Sequence, residues 1–203
     1  MSTLAAPPDF SEPWMFSDVV LLVEDQKFHV HRFVLAMWSP VFTKMFSSEF
    51  KEKNLDEIPL PGKKSSEFKE LLLVIYLAVS ENGWKTITNE NCYFLYELAD
   101  EYQMDAIKQR CEFFLVEKIK NTSGKAVLNE LKFAQTQQIE TLINAIVNKT
   151  VYELRLDDFK SREIYNEIEP DIYKQIVEGM VKKYEGGFYF SYTNKPDAGQ
   201  IIL

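Results

Sequence analysis

Two histidines, His29 and His31, stand two residues apart, and a strand would put both on one face. Paired imidazoles can begin a zinc site, but a tetrahedral site needs more ligands, and no third one of fitting spacing accompanies them. They read as structural residues. The two cysteines, Cys92 and Cys111, each fall in a helical pattern, and neither belongs to a metal or redox spacing. Both read as reduced, half-buried thiols, the usage of a reducing compartment. Gly62, Gly83 and Gly124 stand alone, so no glycine-rich phosphate loop is present, and no serine or cysteine sits in a nucleophile signature. Neither catalysis, nor a cofactor, nor a metal is expected. What remains is Phe50-Lys51-Glu52 in a charged run. An aromatic side chain on a polar loop can anchor a partner, and a glutamate beside it can orient a basic one. That chemistry is docking, not bond making. The other reading of this run is a solvated charge cluster with Phe50 folded inward.

The elements around this run follow from periodicity. Val19 to Val23 is apolar on both faces, which suits a strand covered on both sides. Glu24-Asp25-Gln26 is a short polar reversal, and Lys27 to Val30 alternates as a second strand. From His31 the period changes: Val34, Leu35, Trp38, Val41, Phe42, Met45 and Phe46 form a helical stripe. Pro40 lacks a backbone donor and clashes with the previous turn, so the stripe divides into two short helices at Ser39-Pro40. Leu55 to Leu60 adds a short strand, ended by Pro61-Gly62. Ser65 or Ser66 can cap the next helix, whose apolar positions Phe68, Leu71, Leu72, Ile75 and Val79 lie on one face. Leu95, Leu98, Ala99 and Tyr102 mark a further helix, and Ile107, Cys111, Phe114 and Leu115 another.

Ser17-Asp18-Val19, Phe28-His29-Val30-His31-Arg32, Val34-Leu35-Ala36, Ser39-Pro40-Val41-Phe42 and Met45-Phe46 occur in order over about thirty residues. Together they resemble the signature of the BTB/POZ domain. The short amino terminus and Glu49-Phe50-Lys51-Glu52-Lys53 resemble the BTB modules that nematodes attach to MATH domains. Leu98-Ala99-Asp100-Glu101-Tyr102-Gln103-Met104 and Cys111-Glu112-Phe113-Phe114-Leu115 resemble the family's last helical pair, and the likeness ends near Lys120. It implies an α+β fold, a small sheet covered by helices, followed by an all-α extension. It also gives Phe50-Lys51-Glu52 a meaning. Related ubiquitin-ligase adaptors carry a hydrophobic residue, any residue, then Glu in this segment, and that motif docks cullin-3. Met45, Phe46 and Tyr102 are expected on the same surface. In the same way the resemblance implies a charged pocket at a dimer floor, formed here by Asp18 and Arg32. The alternative is that Asp18 caps local backbone and Arg32 lies in solvent. Phe10 and Trp14 occupy the place of a longer helix that packs across the dimer in many BTB domains. This segment is short and interrupted by Pro13, so the two residues either serve that interface or cap the domain's own core.

The organisation read from the chain is a disordered segment over 1–8, a BTB/POZ domain over 9–120, a BACK-like (3-box) helical extension over 125–184 and a mobile tail over 185–203. Val127, Leu128, Leu131 and Ala134 form one helix of the extension, and Ile139, Leu142, Ile143, Ile146 and Val147 the next. Pro170 opens a last helix, which Gly186-Gly187 stops. No kelch repeat, MATH domain or zinc finger is visible. At 203 residues and a formal charge of −8, the composition is globular and disfavours a phosphate-binding surface. The amino terminus lacks the basic and apolar regions of a signal peptide, and no apolar run approaches the ~20 residues of a membrane span. The expected setting is cytoplasm and/or nucleus. Expected partners are a second copy or other BTB proteins, cullin-3 and an unknown substrate protein, with neither nucleic acid nor membrane. The alternatives are a homo- or hetero-dimerisation scaffold in transcriptional or cytoskeletal assemblies, and a dominant regulator of longer BTB proteins.

Overall fold

The computed structural model describes residues 8–47, 55–77, 86–155, 159 and 167–193. Two compact units divide the chain, Met1–Phe114 and Leu115–Leu203. The first is α+β. Its sheet has the order β2-β1-β3, with β1 (Val19–Val23) in the centre. β2 (Gln26–Val30) runs antiparallel to it, pairing Val19 with Val30 and Val23 with Gln26. β3 (Glu57–Pro59) runs parallel on the other side, pairing Leu21 with Ile58. Val19, Leu21 and Val23 are buried, while Val20 and Leu22 are half-buried, so one face of β1 is core and the other is partly covered.

The hairpin turn has a second task. Glu24 sits in the left-handed region (φ 53°), and its carboxylate accepts the Ser65 backbone N–H at 2.9 Å. That N–H opens α3 (Ser65–Leu77). The helix start is thus capped by an acidic side chain from the hairpin turn, where the helix dipole favours negative charge. Phe68, Leu71, Leu72, Val74, Ile75 and Tyr76 of α3 are all buried.

The helical stripe divides at the proline. α1 spans Arg32–Trp38 and α2 spans Pro40–Met45, with an extended Ser39 between them (φ −135°, ψ 115°). Ser39 is fully buried and satisfied: its hydroxyl accepts the Phe42 N–H at 3.1 Å and donates to the Tyr102 carbonyl at 2.6 Å. α4 (Cys92–Glu101) and α5 (Asp105–Asn121) follow, joined through Gln103 at φ 53°. The Met104 N–H bonds the Ala99 carbonyl at 2.7 Å, the reach-back that a left-handed residue permits at a helix end.

The second unit is helical. After the end of α5 come α6 (Gly124–Val127), a 3-10 turn (Leu128–Glu130) and α7 (Leu131–Thr136), so the first expected helix of the extension is divided in its middle. Gln138, at φ 53°, repeats the turn made by Gln103, with Ile139 N–H on the Ala134 carbonyl at 2.9 Å. α8 (Glu140–Glu153) follows, and α9 (Pro170–Thr193) closes the unit. A Cβ on Gly179 would stand 2.7 Å from Val151 Cγ2, so glycine is what allows α8 and α9 their close crossing. The Lys183 ammonium donates to the Val151 and Tyr152 carbonyls at 3.0 and 2.6 Å, neutralising the open end of α8.

Gly186-Gly187 does not stop α9, which continues to Thr193. Glycine costs a helix about 1 kcal/mol relative to alanine, but it keeps its N–H and clashes with nothing. The next proline in sequence is Pro196. The expected break at Asn121 to Gly124 is present as the gap between α5 and α6, whereas the compact units divide earlier, within α5. The remainder of the expected tail, 194–203, and residues 1–7 lie outside the described residues.

Candidate functional site

The amino-terminal segment is fastened along β2. The His29 N–H donates to the Phe10 carbonyl at 2.7 Å, and the Trp14 indole N–H donates to the His29 carbonyl at 2.7 Å. Phe10 is 1% exposed, with its ring 5.1 Å from that of Tyr76 and 6.1 Å from that of Trp14. Trp14 stands edge-on to His31 at 4.8 Å. Phe10 is therefore part of the domain's own core, and Trp14, half-buried, packs against it.

His31 links this segment to α3. Its Nε2 lies 2.6 Å from the Met15 carbonyl, which can only accept, so Nε2 carries the proton and Nδ1 accepts from the Tyr76 hydroxyl at 3.0 Å. The same hydroxyl accepts the His31 backbone N–H at 2.9 Å. Burial, above all, pushes the Tyr76 phenol well above its ordinary value. Both ring nitrogens of His31 are occupied in holding the chain.

Immediately after Trp14 the apolar side chains point outward. Met15 and Phe16 are 75% and 88% exposed, and Phe33 and Met37, one turn apart on α1, are 77% and 54% exposed. Phe16 is left-handed (φ 61°), uncommon for a bulky residue, and a Ser17–Trp14 backbone bond of 2.7 Å holds the turn. The Met15–His31 bond brings this turn beside the start of α1. Exposed large apolar side chains are candidates for an interaction surface. Phe16, Phe33 and Met37 were not expected there from the sequence. The available signal was Phe33 and Met37 themselves, an i,i+4 apolar pair off the buried stripe.

Asp18 and Arg32, the residues of the expected charged pocket, stand together at the start of α1. Asp18 Oδ1 accepts the Arg32 backbone N–H at 2.8 Å, an acidic cap at the start of α1, and no ion pair joins the two side chains. The exposed carboxylate serves the nearest open backbone donor. The Arg32 guanidinium reaches away from it, donating from Nη2 to the Leu55 carbonyl at 2.6 Å and lying 5.0 Å above the Phe46 ring. Arg32 is neither the partner of Asp18 nor free in solvent.

Phe46 begins an aromatic column. Its ring stacks on Phe42 at 5.7 Å, Phe42 stacks on Tyr102 at 4.7 Å with planes 2° apart, and Tyr102 meets Phe68 edge-on at 5.9 Å. Met45 and Phe46 are half-buried, whereas Tyr102 is 4% exposed and its phenol is raised by burial. Tyr102 was expected on a partner-facing surface; its ring is occupied within the core, between Phe42 and Phe68. Phe50 and Glu52 lie outside the described residues.

The BTB/POZ domain family matches residues 9–119. The chain belongs to that family. Among similar proteins, BTB and MATH domain-containing protein 38 of Caenorhabditis elegans is 39% identical over 99 residues, 49% of this chain and 24% of that protein. BTB and MATH domain-containing protein 36 of the same organism is 30% identical over 169 residues, 83% of this chain and 50% of that protein. Human Kelch-like protein 24 is 26% identical over 163 residues, 80% of this chain and 26% of that protein. The chain thus spans half or less of the length of each.

The BTB domain is a protein-interaction module. Cys92 and Cys111 are fully buried, not half-buried, and desolvation pushes the Cys111 thiol up to about 12. A thiol so placed is a poor nucleophile at neutral pH. Among the described residues, no three or more His, Cys, Asp or Glu side chains group to hold a metal, and no helix is long and apolar enough to cross a membrane.

Proposed function

We propose that this protein is a BTB adaptor that links a cullin-3 ubiquitin ligase to substrate proteins. The observation that carries the reading is the family match over 9–119 with Phe50-Lys51-Glu52 falling between α2 and β3, the segment where the related adaptors hold their cullin motif. Met45 and Phe46, half-buried at the end of α2, add apolar surface beside it. The likeness to Kelch-like and MATH-containing proteins supports the same role. The adaptor does no chemistry itself. It raises the local concentration of a substrate at the transfer site, so its contribution is proximity. Residues 125–184 act as a BACK-like extension, and the site of action is cytoplasm and/or nucleus. Replacing Phe50 and Glu52 together by alanine abolishes capture of the purified cullin-3 amino-terminal domain and leaves helicity unchanged. Undiminished capture overturns the reading.

A second association accompanies the first. Met15, Phe16, Phe33 and Met37 offer an apolar face for a second copy or another BTB protein. If the partner is a longer BTB protein, pairing makes this chain a regulator of that partner. Light scattering across a concentration series reads self-pairing, and co-purification with a longer BTB protein reads the mixed form.

A further inference from the structure

We infer that His31 and Tyr76 form a proton-operated latch that holds the Met15–Phe16 turn and its apolar side chains in place. The inference rests on the second association proposed above, since Met15 and Phe16 belong to its apolar face. In the neutral pair each polar group has one role. The Nε2–H donates to the Met15 carbonyl, the Tyr76 O–H donates to Nδ1, and the phenol oxygen accepts the His31 backbone N–H. The His31 ring is half-buried and Tyr76 is 7% exposed, so water offers the hydroxyl little replacement for a lost partner.

A solvent proton that settles on the Nδ1 lone pair turns that acceptor into a donor. Two protons, one on Nδ1 and one on the phenol, then face each other across 3.0 Å. The Tyr76 proton loses its acceptor, and a buried donor without a partner is costly. The bond from Nε2 to Met15 survives, because a protonated ring still donates there. The imidazolium therefore stays with the turn and parts from α3, which frees the two together. Histidine is the side chain that ordinarily makes this exchange near neutral pH. Few charges surround the pair. α3 carries no charged residue after Glu70, and α1 none besides Arg32. On β2 the titratable residues are Lys27, paired with Glu57, and His29. The amino-terminal side offers Asp9, turned to the Ser11 N–H, then Glu12, and Asp18, which accepts the Arg32 N–H and acts on the Tyr76 phenol.

The test is amide hydrogen exchange on the full chain at about pH 7.5 and 5.5, corrected for the intrinsic chemistry of exchange. In acid the His31 N–H, bonded to the phenol, and the Ser17 N–H, which closes the turn on Trp14, lose about tenfold in protection, while the Val20 N–H in the sheet keeps its own. His29→Gln, which removes the only other histidine, leaves this response intact. His31→Gln abolishes it, because an amide donates and accepts in the same pattern but takes no proton. Tyr76→Phe abolishes it too, having no hydroxyl proton to displace. Unchanged protection in acid overturns the inference, as does a response that survives His31→Gln or Tyr76→Phe, or one that spreads through the sheet. Sedimentation at the same two pH values reads the link to association: the wild type pairs more weakly in acid, and His31→Gln pairs alike at both. Wild-type pairing that is equally strong at both pH values also overturns the inference. Should the chain pair at neither pH, the association reading falls while the exchange readout still decides the latch.

Discussion

Phe10 and Trp14 turn inward; Met15 and Phe16, the next residues in the same short segment, turn outward. All four are large and apolar, so hydrophobicity does not separate them. Their partners do. Phe10 and Trp14 meet the rings of Tyr76 and His31 and the open backbone edge of β2. Met15 contributes its carbonyl to His31 and leaves its side chain in water. The contrast teaches that one segment can close a core and leave an apolar face exposed, provided that a polar tie fixes the residue where the direction changes. His31 with Tyr76 is that tie.

The largest effect expected is at the inward end. Phe10→Ala removes a fully buried ring and costs about 3–5 kcal/mol of unfolding free energy, measured by urea denaturation. Self-association of the molecules that remain folded is unchanged. The outward end gives the reverse pattern. Phe33→Asp with Met37→Asp leaves unfolding free energy within about 0.5 kcal/mol per site, as exposed substitutions do. Charge placed in an apolar interface should weaken self-association about a hundredfold, close to 2.7 kcal/mol, read by sedimentation. If the aspartate pair lowers stability as much as Phe10→Ala, or leaves association intact, the distinction between the two ends fails.

The same contrast explains what could be read from the chain. β1, β2 and the divided helix at Ser39-Pro40 were legible because alternation, helical period and proline are local signals. The cap of α3 was not, because Glu24 lies 41 residues from Ser65 and is recruited only once the sheet forms. The helix breaks near Gln103 and Gln138 were legible, but the left-handed backbone there was not: glycine is the usual left-handed residue, and glutamine gives no warning. At the candidate site, the residue types at Asp18 and Arg32 were right for a charge pair. A backbone donor for one and a carbonyl with an aromatic ring for the other were closer. Phe16, Phe33 and Met37 carry no such signal, because a residue outside the buried pattern leaves no trace in its periodicity.

Gly179→Ala sets a smaller contrast, in the helical unit. The added methyl would meet Val151, a stiff β-branched side chain, at 2.7 Å. Overpacking of this kind costs about 1–3 kcal/mol, against a gain of about 1 kcal/mol in helical preference. A net loss is expected with Val151 present, and a gain once Val151 is also alanine. The same sign in both backgrounds would show that the crossing is not tight, and calorimetry reads it.

The tie itself gives the sharpest step. Tyr76→Phe leaves the His31 backbone N–H and Nδ1 without their shared partner, a cost of about 1–3 kcal/mol at neutral pH. Alkaline pH adds an independent readout. Burial raises the phenols of Tyr76 and Tyr102 above the ordinary 10.0, so the native state keeps protons that the unfolded chain releases. The stability so gained is complete below pH 10 and falls as the pH rises beyond it, by up to about 1.4 kcal/mol per pH unit for each tyrosine. Tyr76→Phe removes one of these contributions and should flatten the decline above pH 10 while lowering stability at pH 7. A variant that is weaker at neutral pH but declines as steeply as the parent would show that the hydroxyl titrates freely, and with that the separation of inward from outward residues would lose its polar cause.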